Sequence, residues 1–393
     1  MKALKAKARH WLASWLATPR KQLGSALPRL SEIRSITFLK LDRIGDFILS
    51  TAALRAVQKA IPDAHYTLIV RAPSADIARQ QFPSWSVVEL PTRESALRNL
   101  IAQRGVRSRL SKLEESDVLI DLRASRDYSD SVIASWIPAR FRLGLANVFS
   151  DAFAEFKFPG AEWMYDERIA REPSQPGECA DLAGMRTLVK RVLGRETPVR
   201  PELAVDASNR SLVMKILQKK FGILPHQPYA VVFPGTSSAL KEIPTPTLAT
   251  AIDRGLGADT LPLIVGGSSA DLRTTFPLVD TLSGSRIVHD ATGLFSLPLN
   301  IAMIAGARLM VGMDSCHIHI AGALNVPAVG ILGGGQFGDF APWGESDRFR
   351  WVHHRTECYG CQWICPFSQP NCLHDIPADT IAEAIREVLA ASA

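Results

Sequence analysis

Short apolar runs, each followed by a polar turn, recur along most of the chain, and longer stretches with one apolar face lie between them. Runs of this length predict buried strands, and the stretches between them predict helices. The first half contains predicted strands at residues 36–41, 66–70, 87–90 and 118–122. The second half contains predicted strands at residues 229–233, 261–265, 287–289, 309–312 and 328–332. Alternation of strands and helices predicts parallel sheets that are covered by helices on both faces.

The two sets of strands predict two domains. Residues from about 150 to 205 are polar, contain prolines and show no regular period, which is typical of an inter-domain region. A chain of 393 residues is also too long for one ordinary core. We therefore expect an α/β protein with two Rossmann-like, doubly wound domains, at residues 31–205 and 206–393, that face each other across a cleft. The second domain ends with a predicted helix over residues 378–389.

Basic residues are concentrated at the N-terminus. Residues 1–30 contain seven lysines and arginines and no acidic side chain, whereas the rest of the chain has 38 basic and 39 acidic residues. A body without excess positive charge argues against a nucleic-acid-binding surface. As a helix, this extension would place Trp11, Leu12, Trp15 and Leu16 on one face, which suits contact with an anionic membrane. An unstructured N-terminus is the alternative, and a signal peptide is disfavoured because the apolar stretch is short.

Three loops that follow predicted strands carry candidate chemistry. The first is Asp42-Arg-Ile-Gly-Asp46, in which Gly45 allows a tight turn and Asp46 falls at the start of the next helix. A carboxylate there can take a proton from a substrate hydroxyl. It can also simply cap the helix, because aspartate is a preferred capping residue. Both interpretations stay open from the sequence.

The second loop, residues 233–241, has the sequence Phe-Pro-Gly-Thr-Ser-Ser-Ala-Leu-Lys. The glycine permits close approach of a ligand to the backbone. Thr236 and Ser237 offer hydroxyl groups, and Lys241 offers a mobile positive charge. This combination suits a diphosphate, although it is not the Walker pattern.

The third loop lies between a predicted strand and a helix of small residues. Asp314 and Ser315 stand where a helix N-cap belongs, and His317 and His319 fall in the first helical turn. A helix N-terminus at the carboxyl end of a parallel strand binds phosphate through its free backbone N–H groups and its dipole. The loop therefore predicts a phosphorylated ligand. His319 would contact that ligand or, alternatively, pack inside the domain.

Taken in order, the three loops resemble those of the heptosyltransferases of glycosyltransferase family 9, bacterial enzymes that add ADP-activated heptose to the lipopolysaccharide core. The resemblance runs from about residue 36 to the C-terminus. It rests on Gly-Asp with a later Ala-Leu-Arg at residues 45–55, on Pro-Gly-Thr-Ser with a later Lys at residues 234–241, and on Gly-x-Asp-Ser-x-x-x-His at residues 312–319. One loop alone is a weak signal, but the ordered set is specific.

The resemblance implies a GT-B fold, with the acceptor mainly on the first domain and the nucleotide sugar mainly on the second. It implies that Asp46 is the general base of an inverting sugar transfer that needs no cofactor at the reaction centre. The residues that it assigns to substrate binding are Gly45, Thr236, Ser237, Lys241, Asp314, Ser315 and His319. At Cys316 the chain departs from the glycine that the family commonly has, and a side chain there bears on which donor fits.

The resemblance also implies the partners, an ADP-sugar donor and a lipid-linked or other glycan acceptor. Such an enzyme is cytoplasmic and works at the inner face of the bacterial inner membrane, where the basic extension would hold it peripherally. Two alternatives remain open. One is transfer to a protein acceptor, as in some relatives with a cysteine-rich loop. The other is a non-catalytic sugar-nucleotide-binding protein on the same scaffold.

Four of the six cysteines form a second candidate site, with the pattern Cys358-x2-Cys361-x3-Cys365-x6-Cys372. Four thiolates at such spacing suit a tetrahedral zinc or iron ion, and a closed set of four points to a structural metal. Some relatives of the family bind iron through a loop of this kind. Disulfides are the alternative, but they are rare in the reducing cytosol. Isolated buried thiols are a third interpretation.

Overall fold

The computed structural model describes residues 26–91, 99–123, 128–146 and 164–392. Two compact units divide the chain. The first runs to Pro173 and also contains Asp181–Arg200, whereas the second contains Ser174–Ala180 and the chain from Pro201 onward. Most of the predicted membrane-binding extension, residues 1–25, lies outside the described residues. Within those described ranges, no helix is both long enough and apolar enough to cross a membrane.

The described part of the first unit forms a parallel sheet and five helices. Its strands are β1 (Ser35–Lys40), β2 (His65–Arg71), β3 (Ser86–Leu90), β4 (Ser116–Asp121), β5 (Ala139–Leu145) and β6 (Glu167–Ile169). Its helices are α1 (Ile44–Ala60), α2 (Ala72–Gln81), α3 (Asn99–Leu110), α4 (Tyr128–Ser135) and α5 (Ala180–Leu193), after a 3-10 turn at Leu30–Glu32. The strand order is β3-β2-β1-β4-β5-β6, and neighbouring strands run parallel.

The second unit repeats this architecture. Its strands are β7 (Ala230–Phe233), β8 (Leu263–Val265), β9 (Val288–Asp290), β10 (Leu309–Met313), β11 (Ala328–Ile331) and β12 (Phe349–Val352). Its helices are α6 (Ala207–Phe221), α7 (Thr245–Leu256), α8 (Leu272–Leu282), α9 (Leu297–Ala305), α10 (Cys316–Ala323), α11 (Asn371–His374) and α12 (Ala378–Ala390), with 3-10 turns at Ala239–Lys241 and Ser269–Asp271. The parallel order β12-β11-β10-β7-β8-β9 confirms the predicted α/β class.

Burial on both faces explains why the strand sequences form unbroken apolar runs. In β1, residues 36–40 are all buried. The strand pairs with β2 in the register Ile36 to Tyr66 and with β4 in the register Ile36 to Val118. A parallel strand that is covered by helices on both faces has no solvent side, so its residues do not alternate between apolar and polar.

The last helix, α12, has the predicted apolar face. Ile381, Ile385 and Val388 are fully buried on that face. Gly255 of α7 lies directly against Ile385, because a Cβ atom at position 255 would be 2.8 Å from the Ile385 Cβ atom. The glycine therefore lets the two helices pack closely, and a side chain there would force them apart.

The prediction that residues 150–205 are irregular is wrong for the part that the structure describes. Strand β6 pairs in parallel with β5, and α5 buries Leu182 and Met185. Prolines on both sides of α5 and basic residues within it obscured its apolar period. Strand β5 escaped the sequence pattern because Arg140 and Arg142 interrupt its apolar run.

Candidate functional site

Asp46 lies in the first turn of α1, immediately after β1. Arg43 is the N-cap of this helix, and its backbone N–H donates a hydrogen bond to Asp46 Oδ2 at 3.1 Å. Asp46 is therefore not the N-cap residue itself, but from the first turn its carboxylate accepts the free N–H of the N-cap residue. The same hydrogen bond fixes a half-buried carboxyl group at the end of β1, with Gly45 beside it.

A buried lysine occupies the end of β1. Lys40 is 1% exposed, and its ammonium lies 3.1 Å from Asp42 Oδ2 and 3.7 Å from Asp181 Oδ2. It also donates a hydrogen bond to the carbonyl oxygen of Leu122 at 3.3 Å. Burial lowers its pKa, but the carboxylates of Asp181, Asp42 and Asp46 outweigh burial and hold the pKa above its ordinary value. Lys40 is therefore a buried charge that depends on the carboxylates around it.

The surroundings of Asp46 suit a general base. Burial raises the pKa of its carboxyl group to about 7, and the charge of Asp42 adds to the rise, whereas Lys40 opposes it. Burial likewise raises the pKa of Asp181 to about 6, against the charge of Lys40. A carboxyl group that titrates near neutrality can both accept and release a proton. Sequence reasoning missed Lys40 and Asp181, although a lysine inside an apolar strand was a signal for the first.

In the second unit, candidate residues meet at the carboxyl edge of the sheet because β7, β10 and β11 are neighbours. Lys241 follows β7 and Asp314 follows β10. The Lys241 Nζ atom lies 2.9 Å from Asp314 Oδ2, and the two side chains are only 12% and 13% exposed. The structure therefore brings two of the predicted ligand-binding residues into one shielded ion pair.

Thr236 and Ser237 belong to the turn that leads to Lys241. The Thr236 hydroxyl donates a hydrogen bond to the carbonyl oxygen of Ser238 at 2.6 Å and accepts one from the Ser238 backbone N–H at 3.3 Å. Ser237 is exposed. The hydrogen bonds of Thr236 thus stabilise the turn, and Ser237 lies at the protein surface.

Helix α10 begins after Asp314 without a side-chain cap. Ser315 is the N-cap residue, but its hydroxyl makes no capping hydrogen bond and lies 3.5 Å from His317 Nδ1. The His317 ring stacks on Phe233, with centroids 3.8 Å apart. Burial raises the pKa of Cys316 to about 12, so its thiol adds no charge at this helix end. Uncapped N–H groups at a helix start are suited to an anion.

His319 packs inside the second unit. It is 4% exposed, and its Nδ1 atom accepts a hydrogen bond from Trp343 Nε1 at 2.9 Å. An indole N–H can only donate, so Nδ1 is unprotonated and the ring carries its proton on Nε2. Burial lowers the pKa of His319 to about 4, which keeps the ring neutral. Any ligand contact of this residue must therefore be made by Nε2–H.

The four clustered cysteines share one loop, residues 358–372, which we call the cysteine loop. Among the described residues, no three or more His, Cys, Asp or Glu side chains are placed to hold a metal ion. Cys365 instead donates to the carbonyl oxygen of Gln369 at 3.7 Å, and Cys372 is buried in the core. The geometry does not reproduce the predicted four-thiolate site, and the four cysteines of the loop form no disulfide bond. Burial raises the pKa of Cys372, and the neighbouring thiols Cys358, Cys361 and Cys365 raise it further.

Comparison with known proteins points to one family of enzymes. The model of a family described as glycosyltransferase family 9 (heptosyltransferase) matches residues 111–364. No curated protein matches the chain. A solved family 9 glycosyltransferase from Veillonella parvula is 17% identical, with 93% of this chain and 100% of that chain covered and a TM-score of 0.71. The ADP-heptose lipopolysaccharide heptosyltransferase II of E. coli is 18% identical, with 91% and 99% covered and a TM-score of 0.63.

A third similar structure contains iron. It is the iron-containing dodecameric glycosyltransferase TibC of enterotoxigenic E. coli, which is 13% identical, with 95% of this chain and 78% of that chain covered and a TM-score of 0.52. At these identities, the similarity to all three structures is one of fold.

Proposed function

Because the chain belongs to glycosyltransferase family 9 and is a glycosyltransferase of GT-B fold, we propose that it transfers heptose or a related sugar from an ADP-sugar to a lipopolysaccharide-core or related glycan acceptor. Asp46 is the proposed general base. The observation that carries this proposal is the Asp46 carboxyl group, which is fixed at the end of β1 with a pKa raised to about 7.

The proposed step is a displacement with inversion. Asp46 takes the proton of an acceptor hydroxyl while the hydroxyl oxygen forms a bond to the anomeric carbon of the donor sugar. The bond between that carbon and the diphosphate breaks, and ADP leaves with the electron pair. Gly45 is proposed to let the acceptor approach the backbone beside Asp46.

The leaving diphosphate is the proposed ligand of the second unit. The Lys241 ammonium, which Asp314 holds, would oppose the negative charge that develops on the diphosphate. Thr236 and Ser237 would add hydroxyl contacts from the same turn. Positive charge and hydrogen-bond donors that are fixed before the reaction lower the barrier without reorganisation.

The start of α10 is the second proposed contact for the diphosphate. The Ser315 hydroxyl and the first backbone N–H groups of α10 would donate hydrogen bonds to phosphate oxygens. They are available because the Ser315 side chain does not cap the helix. His319 would contribute through Nε2–H, the donor that its bond with Trp343 leaves in place. The helix start and His319 both offer hydrogen-bond donors, which suit the negatively charged phosphate groups of a ligand.

The donor and acceptor classes are supported by the similar proteins. The E. coli relative is an ADP-heptose lipopolysaccharide heptosyltransferase.

The same proposal includes attachment to a membrane. Residues 1–30 would bind an anionic membrane and hold the enzyme at the cytoplasmic face of the inner membrane. Binding of the full chain to anionic vesicles, compared with a chain that lacks residues 1–25, tests that part.

The pH dependence of transfer tests the base directly. Asp46 must be ionised to take a proton, so kcat/KM is expected to rise with pH, with a midpoint near 7, and to level off above it. Asp42→Asn removes a negative charge that raises the pKa of Asp46, so the midpoint should move to lower pH. Asp63→Asn, in an exposed turn, should leave the profile unchanged. A rate that is flat from about pH 5 to 8 would indicate a base with an ordinary Asp pKa.

A structural zinc or iron ion at Cys358, Cys361, Cys365 and Cys372 is a separate proposal. The spacing of the four thiols supports it, and the similar TibC is iron-containing. The thiols are not arranged as ligands in this structure, so no catalytic step is assigned to a metal.

Elemental analysis of the purified protein tests this metal proposal. About one zinc or iron ion per chain is expected, as for a four-thiolate site. The variant Cys361→Ser/Cys365→Ser should lose the ion, whereas Cys179→Ser, outside the cysteine loop, should keep it. The proposal would be contradicted if the wild-type protein contained no metal as purified and unfolded at the same temperature as the double variant.

A further inference from the structure

Three consecutive glycines after β11 make room for two aromatic rings of the cysteine loop. A Cβ atom on Gly333 would lie 2.6 Å from the Trp363 indole, and one on Gly335 would overlap the same ring. A Cβ atom on Gly334 would overlap the Tyr359 ring. The cysteine loop therefore lies directly on the chain that leaves β11, at the carboxyl edge where Lys241 and Asp314 also lie.

The backbone of the cysteine loop is held in an uncommon conformation at this contact. Gln362 and Trp363 have φ angles of 52° and 62°, in the left-handed region that residues with a side chain rarely adopt. The Gln362 backbone N–H donates to the Gly335 carbonyl oxygen at 2.7 Å, and its side chain donates to Asp339 Oδ2 at 3.0 Å. Trp363 Nε1 donates to Gln336 Oε1 at 3.3 Å. Such a conformation persists only where the surroundings fix it, and it is common at ligand-binding sites.

The Trp363 ring is fixed beside the Lys241 ammonium. Lys241 Nζ lies 4.9 Å from the centroid of the indole, within the range of a cation–π interaction. Asp314 Oδ2 contacts the same ammonium at 2.9 Å. A lysine side chain is flexible, and an isolated carboxylate would leave much of that freedom. The indole and the carboxylate together confine the ammonium to one place.

We infer that Trp363 is a positioning residue of the donor site. The inference rests on the proposed function, because it takes Lys241 as a ligand of the donor diphosphate. Trp363 acts through Lys241: the indole keeps the ammonium at the carboxyl edge of β7 and β10 before a nucleoside diphosphate binds. Pre-organisation of this kind raises affinity because less freedom is lost on binding.

Titration of the full-length protein with ADP, followed by calorimetry, tests the inference. Trp363→Leu removes the ring and is expected to raise the Kd for ADP by about tenfold, a typical cost of a shielded cation–π contact. Trp363→Phe keeps an aromatic face and should raise it by about threefold. Phe367→Leu is the matched control, because Phe367 is a half-exposed aromatic residue of the same loop, and it should leave the Kd unchanged.

A double-mutant cycle with Lys241→Met separates positioning from a structural role. Trp363→Leu should have almost no further effect on ADP affinity once Lys241 is replaced, because the indole then has no ammonium to hold. An equal loss in both backgrounds, or no loss in the wild-type background, would overturn the inference while the proposed function stands. Normal ADP affinity in Lys241→Met alone would overturn the role of Lys241, and the inference with it.

Discussion

Substitution of Asp46 by asparagine is expected to lower kcat for sugar transfer by roughly 10²- to 10⁴-fold, the usual contribution of a general base. The amide cannot take the proton of the acceptor hydroxyl. Its oxygen can still accept the hydrogen bond from the Arg43 backbone N–H, so α1 remains capped. Steady-state kinetics with an ADP-linked sugar and a glycan acceptor would therefore measure lost chemistry rather than lost structure.

Two comparisons make the Asp46 experiment specific. Asp63→Asn makes the same chemical change in an exposed turn of the first unit and should retain the wild-type rate. The Kd of Asp46→Asn for ADP should equal that of the wild type, since the diphosphate is assigned to the second unit. An unchanged kcat would remove Asp46 as the base. A loss of ADP affinity as large as the loss of kcat would assign Asp46 to binding instead.

The fold was predictable where burial alone determines the sequence. Strands β1 and β7 each begin and end within one residue of the predicted ranges 36–41 and 229–233, because a strand between two helical layers is apolar along its length. Strand β5 was not predictable in this way. Its Arg142 is buried, and the guanidinium donates to the Ile137 carbonyl oxygen at 2.8 Å, a partner that no local pattern reveals.

In the candidate site, too, some contacts follow from the sequence pattern and others arise only from packing. Lys241 and Asp314 could be chosen from their own loops, and their contact follows from the neighbouring positions of β7 and β10. The contact between Lys40 and Asp181 joins β1 to the first turn of α5, and only the packed unit brings them together. The value of about 7 for the pKa of Asp46 depends on that packing, so the sequence left both interpretations of this residue open.

Local patterns identify reactive residues but not their neighbours. The spacing of the cysteines marked the loop at residues 358–372, yet it gave no reason for the three glycines after β11. The rings of Tyr359 and Trp363 supply that reason, since they fill the space where Cβ atoms would lie. His319 was ambiguous for a related cause: a histidine on a helix of small residues can face a ligand or the core. Its hydrogen bond with Trp343 fixes the Nδ1 side of the ring, a contact that no local pattern reveals.

Substitution of Lys241 by methionine is expected to lower kcat by roughly 10²- to 10³-fold, as for the loss of one fixed group that stabilises a leaving anion. Methionine retains much of the side-chain length without the charge. No ammonium would then oppose the negative charge that develops on the diphosphate. The shielded Asp314 carboxylate, without its partner, would repel the diphosphate. Transfer kinetics and ADP calorimetry measure the two effects. Lys219→Met, on the exposed side of α6, is the matched control and should change neither.

The double variant Lys241→Met/Asp314→Asn separates the missing cation from the unpaired carboxylate. Loss of the ion-pair partner should lower the free energy of unfolding of the single variant by about 1–3 kcal/mol, the usual cost of a buried polar group without a partner. Replacement of Asp314 should recover most of that stability and part of the ADP affinity, because the repulsion is gone. The rate of transfer should stay low, since no positive charge has returned. Recovery of kcat in the double variant would mean that Lys241 serves only to neutralise Asp314, and the leaving diphosphate would then need another cation.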